Sequence, residues 1–217
     1  MTSGGENVDE WVAVERERLD LAKDLAGIPD AAWDAQSLCA QWRVRDVVGH
    51  LVWGERGVGL ATGLVGMVKN GGSFNRFVAR EGIANGNADP AALLAEFEAN
   101  ASSRKHPPGA PTVVMLADTL CHAQDIRRPL GLEHQYSDEV LDAVANVMKV
   151  AGFPFQAKKL LAGISLVATD GDWTTGQGPE ASGPREALVM VMAGRRAALV
   201  DVTGPARATL DARLPRG

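Results

Sequence analysis

The chain has 217 residues, of which 46% are apolar and 23% charged, ordinary values that exclude a wholly disordered protein. Its 22 basic and 27 acidic residues leave a formal charge of −5, so no broad basic field exists to neutralise a nucleic-acid backbone. Two cysteines, Cys39 and Cys121, are too few for a disulfide framework, and no secretory signal is visible in the opening MTSGGENVDEW. The most apolar stretch, 44–68, is interrupted by Asp46, His50, Glu55 and Arg56, which makes it too polar for a membrane span. These features predict a cytoplasmic protein with reduced thiols, and neither nucleic acid nor membrane among its partners.

Residues 1–6 read as a frayed tail. From Val8, the residues Trp11, Val12, Leu19 and Ala22 suggest the apolar face of a first helix, with Glu15, Arg16, Glu17 and Arg18 on its solvated side. Gly27-Ile-Pro-Asp ends it, and a loop follows over about 30–41. A second helix is expected over 44–68, stopping at Lys69-Asn-Gly-Gly, with Asp46 in its first turn facing unpaired backbone N–H groups. The stretch 70–88, rich in Gly and Asn, reads as irregular, with one helical turn around Phe74–Phe77.

Asp89-Pro90 is a helix start with a mechanism, since Asp accepts from orphan N–H groups and Pro at the first position loses no hydrogen bond. His106-Pro-Pro-Gly closes that helix. The next begins after Pro111 and runs through Asp118 and His122 to about Arg128, where Pro129 and Gly131 end it. Ser137-Asp-Glu opens a fifth helix, with Leu141, Val144 and Met148 inward. Beyond Phe155 the pattern changes to a hairpin about Asp170-Gly171, a short helix over 184–193, and a segment, 197–202, whose period is too short to assign. The whole reads as a mainly α chain: an antiparallel four-helix bundle over 1–155, followed by a small α+β domain over 156–217. Trp11, Trp33, Trp42 and Trp53 read as packing anchors, and Trp173 as the pin of the small domain against the helices.

Asp118 and His122, four residues apart, share one helix face and can grip one ion, with His50 of the second helix as a third ligand. Two imidazoles and a carboxylate leave an open position, as in a catalytic divalent-metal site. The spacing is weakly specific. Chance supplies about one such pair in a chain of this composition, and this one also carries Asp46/His50 and His134/Asp138. Surface ion pairs or buried structural histidines are the competing reading. Asp125, three residues after His122, is either a further ligand or the group that orients the imidazole. Arg127 and Arg128 read as cations favoured at a helix C-terminus. Cys121 points about 100° away from His122 and reads as a buried small apolar residue, while Cys39 stays ambiguous. Gly176-Gln-Gly178 reads as a bend.

Three segments together resemble the mycothiol-dependent maleylpyruvate isomerase family of the DinB-like metal-dependent bundle superfamily. They are Ser37-Leu-Cys-Ala-Gln-Trp-Arg-Val-Arg-Asp-Val-Val-Gly-His50-Leu, then Asp118-Thr-Leu-Cys-His122-Ala-Gln-Asp125-Ile-Arg-Arg-Pro-Leu-Gly, and Ala168-Thr-Asp-Gly-Asp-Trp-Thr-Thr-Gly-Gln-Gly-Pro with Gly183-Pro and Ala193-Gly-Arg195. The resemblance implies a DinB-like four-helix bundle holding a divalent ion, usually zinc, at which mycothiol is activated as co-substrate. His50 and His122 match the histidine ligands, and Asp118 stands where better-known members carry a glutamate. Arg43 departs from a threonine that caps the second helix, which leaves that task to Asp46. Arg195 matches a basic residue that faces a substrate carboxylate, against the plainer reading of a helix-end cation. The activity implied is isomerisation or S-transfer on a small electrophile, by a monomer or homodimer. A metal-dependent hydrolase and a non-catalytic small-ligand or metal-binding bundle are the alternatives.

Overall fold

The computed structural model describes residues 9–57, 59–107, 109–152 and 157–215. The expected frayed tail and Val8 lie outside the described residues, as does Phe155.

Helix α1 (Glu10–Ala26) starts at Asp9, whose carboxylate accepts from the Trp11 and Val12 N–H groups. Its buried face is not the one expected. Val12 and Leu19 are exposed, while Glu17 and Arg18 are buried with Val14, Leu21, Ala22 and Leu25. Each of the two buried charges has a distant opposite charge to meet, which residue hydropathy does not encode. After a 3₁₀ turn at Asp30–Asp34, α2 (Val44–Arg56) begins. Here Asp46 accepts from the Arg43 backbone N–H at 2.9 Å and from the Arg43 side chain, so it does carry the capping.

The expected single helix over 44–68 is two. Gly57, with φ +81°, turns the chain out of α2, and α3 (Leu60–Lys69) follows. The stretch expected to be irregular forms α4 (Phe74–Gly86), capped by Ser73. Its Gly82 and Gly86, four residues apart, let it press on α2: a Cβ on Gly86 would lie 2.7 Å from the Asp46 Cα, and one on Gly49 would lie 2.4 Å from the Gly86 nitrogen. The glycines that weaken the helix locally are the contact that holds it in place.

Helix α5 (Pro90–Ala99) starts on Asp89 as expected but stops at Asn100, short of His106. Helix α6 (Thr112–Leu130) includes Pro129 in its last turn and ends at Gly131 in the left-handed conformation. Helices α1, α2, α5 and α6 pack pairwise as the four-helix bundle, with α4 laid along α2. Leu21, Leu25, Trp33, Val48, Phe97 and Ile126 are among the buried residues of its core.

The chain divides into two compact units, Asp9–His134 and a C-terminal unit from Gln135. Helix α7 (Asp138–Met148), expected as the fifth helix of the bundle domain over 1–155, therefore belongs with the C-terminal part. There it packs on α9, and the sheet lies beside them. After the short α8 (Ala157–Leu160), β1 (Ser165–Ala168) pairs antiparallel with β2 (Thr174–Gly176), which is the expected hairpin. Strand β3 (Glu180–Gly183) pairs parallel to β1 on its other edge, giving the order β2-β1-β3. Helix α9 (Arg185–Met192) follows, then a 3₁₀ segment at Arg196–Asp201 and α10 (Arg207–Arg213). Arg185, 3% exposed, reaches Asp142 at 2.9 Å, Asp170 at 3.3 Å and Asp138, so it ties α7 to the hairpin turn. Trp173 donates its indole N–H to Asn146 of α7 at 3.3 Å, so the helix it pins against is one of its own unit. No helix among the described residues is long and apolar enough to cross a membrane.

Candidate metal centre

The loop before α2 is clamped from within. Ser37 Oγ donates to the Trp42 carbonyl at 2.7 Å, and the Gln36 amide donates to the carbonyls of Ser37, Cys39 and Trp42. The Leu38 N–H donates to the Asp125 carbonyl on α6 at 3.0 Å. This pins Cys39 and Trp42 beside the histidines. The Trp42 ring, 7% exposed, lies 5.1 Å from His50 and 5.7 Å from His122, and its N–H donates to the Ala79 carbonyl of α4 at 3.2 Å. Trp53 flanks His50 at 6.2 Å and meets Phe77 edge-on. Trp42 is thus more than the packing anchor expected of it: its ring forms one wall of the histidine site.

Within that wall the predicted trio comes together. His50 Nε2 lies 3.7 Å from Asp118 Oδ2, and His122 Nε2 lies 3.6 Å from Asp118 Oδ1. One donor atom from each of the three residues falls within 4.8 Å of the others. These separations exceed a hydrogen bond. They approach the spacing of about 3.4 Å between ligands of a tetrahedral zinc ion with bonds near 2.0–2.1 Å. Two borderline nitrogens and one hard oxygen also form the donor set that zinc and related divalent ions take. Asp118, although one methylene shorter than glutamate, has its two carboxylate oxygens directed at both imidazoles.

Asp125 approaches His122 from the side away from Asp118. It is fully buried, and its Oδ2 lies 3.0 Å from His122 Nδ1, the nitrogen turned away from Asp118. The Cys39 thiol donates to the same oxygen at 3.0 Å. This contact suits an orienting group that leaves Nε2 for the cluster, the arrangement found behind metal-ligating histidines, and donor atoms of Cys39, His122 and Asp125 also lie within 4.8 Å of one another. Burial opposes the His122 imidazolium, but the carboxylates of Asp118 and Asp125 outweigh it and push the pKa up to about 10.

Arg18 and Glu55 form a second buried pair, 3.2 Å apart, with Arg18 also donating to the carbonyls of Ala101 and Ser103. Burial drives Glu55 up to about 8 against the pull of Arg18. Near the end of α6, Arg127 is completely buried, donating to Asp24 at 2.7 Å and to Glu17, which also meets His134 at 3.2 Å. Arg127 and Arg128 do lie in the last turn of α6, as expected, and for Arg127 α1 supplies two carboxylates in addition. The other two spaced pairs dissolve: Asp46 caps α2, and His134 and Asp138 lie outside a common helix. Cys121 is buried, as expected. Arg195 lies in the C-terminal unit before the 3₁₀ segment, where its side chain donates to the Ala193 carbonyl at 2.8 Å.

Residues 14–127, more than half of the chain, match the model of the mycothiol maleylpyruvate isomerase N-terminal domain. All three members of the cluster fall in that span; Arg195 does not. The fold is similar to the crystal structure of the mycothiol-dependent maleylpyruvate isomerase, with a TM-score of 0.64 and 14% identity over 91% of this chain and 92% of that one. The histidine-to-alanine mutant of that isomerase matches with a TM-score of 0.63 at the same identity and coverage. No curated protein matches the chain.

Proposed function

Because this chain belongs to the mycothiol maleylpyruvate isomerase family, we propose that it is a divalent-metal-dependent enzyme activating a low-molecular-weight thiol, mycothiol, for isomerisation or S-transfer on a small electrophilic substrate. The observation that carries this reading is the convergence of His50 Nε2, the Asp118 carboxylate and His122 Nε2 within 4.8 Å. These three residues would hold the ion, with zinc the best fit to their donor chemistry. An ion bound there supplies Lewis acidity that brings a thiol to its nucleophilic thiolate near neutral pH.

The chain's own residues do the rest. Asp125 holds a proton at His122 Nδ1, which fixes the tautomer and ring orientation. The Cys39 thiol, itself donating to Asp125, serves as an orienting group rather than a nucleophile. Trp42 shields the cluster from water on one side. Arg195 is proposed, on the family resemblance, as the cation that receives a substrate carboxylate. The free state of Cys39 and Cys121 agrees with a cytoplasmic setting.

Elemental analysis of the purified protein beside His50→Ala tests this. About one divalent ion per chain is expected, lost in the variant, together with turnover that requires added thiol. Turnover of a metal-loaded protein without thiol would convert the reading to a hydrolase. Absence of metal in both proteins after zinc soaking would leave a binding protein without chemistry.

A further inference from the structure

An open pocket lies where the end of α3 meets α4. A cavity of about 420 Å³ is lined by Gln41, Lys69, Asn70, Arg76, Arg80 and Ile83, with Gly71 and Ala79. Three of these residues are cations and none is acidic, in a chain whose formal charge is −5. The two arginines are held by neutral groups. Arg76 donates to the carbonyls of Asn70 at 3.0 Å and Gly71 at 3.2 Å, and Arg80 donates to Asn70 Oδ1 at 3.0 Å. Asn70 is anchored in turn by its amide on the Gly66 carbonyl at 2.7 Å. Among the described residues, no carboxylate forms an ion pair with Lys69, Arg76 or Arg80. Some other arginines of the chain do meet carboxylates: Arg56 pairs with Glu96, Arg43 with Asp34 and Asp46, and Arg196 with Asp211.

The geometry points to a binding site for a small organic dianion in this cavity, held by the Arg76 and Arg80 forks and the Lys69 ammonium. Guanidinium groups match the planar, two-oxygen face of a carboxylate or the oxygens of a phosphate, and their charge here is not already spent on a protein acid. The volume suits a compact metabolite, and the Ala79 and Ile83 side chains offer apolar wall for a short carbon skeleton. The Ala79 carbonyl accepts from the indole of Trp42, whose ring lies 5.1 Å from His50, so occupancy is reported at the Trp42 N–H. This site uses none of the metal-centre residues and stands independently of the reading given above.

The test is a titration at low ionic strength, followed by amide and indole NMR shifts, with succinate, glycerol 3-phosphate and neutral 1,4-butanediol as probes. Saturable shifts are expected for at least one dianion at Gly71, Gly72 and the Trp42 indole, and none with butanediol; the dianion that binds more tightly identifies carboxylate or phosphate as the preferred group. Arg76→Gln/Arg80→Gln, both at exposed positions, should weaken binding by at least about tenfold while leaving the spectrum folded. Arg80→Lys keeps the charge and should retain part of the affinity. Binding should fall in high salt, since these charges are open to screening. His50→Ala should retain it, which separates this site from the metal centre. The proposal is overturned if neither dianion binds up to about 20 mM, if butanediol binds equally, or if the double variant binds as wild type does.

Discussion

At the middle of α6, His122 sits among Asp118, Asp125 and His50; near its end, Arg127 sits among Glu17, Asp24 and His134. Both clusters are largely buried and both oppose carboxylates to a nitrogen base. They differ in the permanence of the cation. The Arg127 guanidinium is charged at every accessible pH and fills its own cluster, so the carboxylates there are committed to linking α6 with α1. His122 carries a proton that can leave, and its Nε2 converges with two other donors on one point. A fixed cation holds its carboxylates in a link between helices, whereas a proton that can leave frees a nitrogen for an ion.

Removing the fixed cation should give the largest effect. Arg127→Met strands Glu17 and Asp24 against an apolar chain and is expected to cost about 3–5 kcal/mol of unfolding free energy in denaturant titration. Zinc stoichiometry in the surviving folded fraction should not change. A loss of zinc at full folding would show that the two clusters act as one.

Asp125→Asn should act the other way. It keeps the shape of the side chain but weakens its hold on the His122 proton, and zinc affinity by competition with a chelator is expected to fall by about 10–100-fold. Thermal stability without metal should change far less than for Arg127→Met. Equal zinc affinity in variant and wild type would remove Asp125 from the metal centre.

The subtlest difference is in pH. With its folded pKa near 10 against an ordinary value of 6.5, His122 contributes stability to the metal-free protein that is fully present below about pH 6.5 and lost as pH rises through 10. On the proposed reading, zinc would need the neutral Nε2 and displace that proton, so the zinc-induced gain in melting temperature should rise across the same window. Melting curves of wild type and His122→Gln, with and without zinc, read both slopes.

Much of this was readable locally. Asp89-Pro90 and Ser137 mark helix starts because a side-chain acceptor beside orphan N–H groups is a short-range device. The pairing of Asp118 with His122 follows from helical spacing, and the hairpin at Asp170-Gly171 from turn chemistry. What spacing does not contain is the partner. Three carboxylate–histidine pairs had the same interval, and only one converged with another histidine, because His50 arrives from α2 across the bundle. Glu17 looked solvated until Arg127, 110 residues later, met it.

The same limit applies to the helices. Gly82 and Gly86 argue against a helix when only the local backbone is weighed, yet α4 exists because α2 lies close enough to need their missing side chains. Helix α7 has a clear start and face, but its place with the C-terminal unit is decided by Arg185 and by packing on α9. By itself, the sequence determined where helices with a side-chain cap or proline start begin, at Asp89, Pro111 and Ser137, and which residues could hold an ion. Tertiary structure alone decided which charges are buried, which glycines are contacts and which candidate ligands meet, because those outcomes depend on distances between segments far apart in the chain.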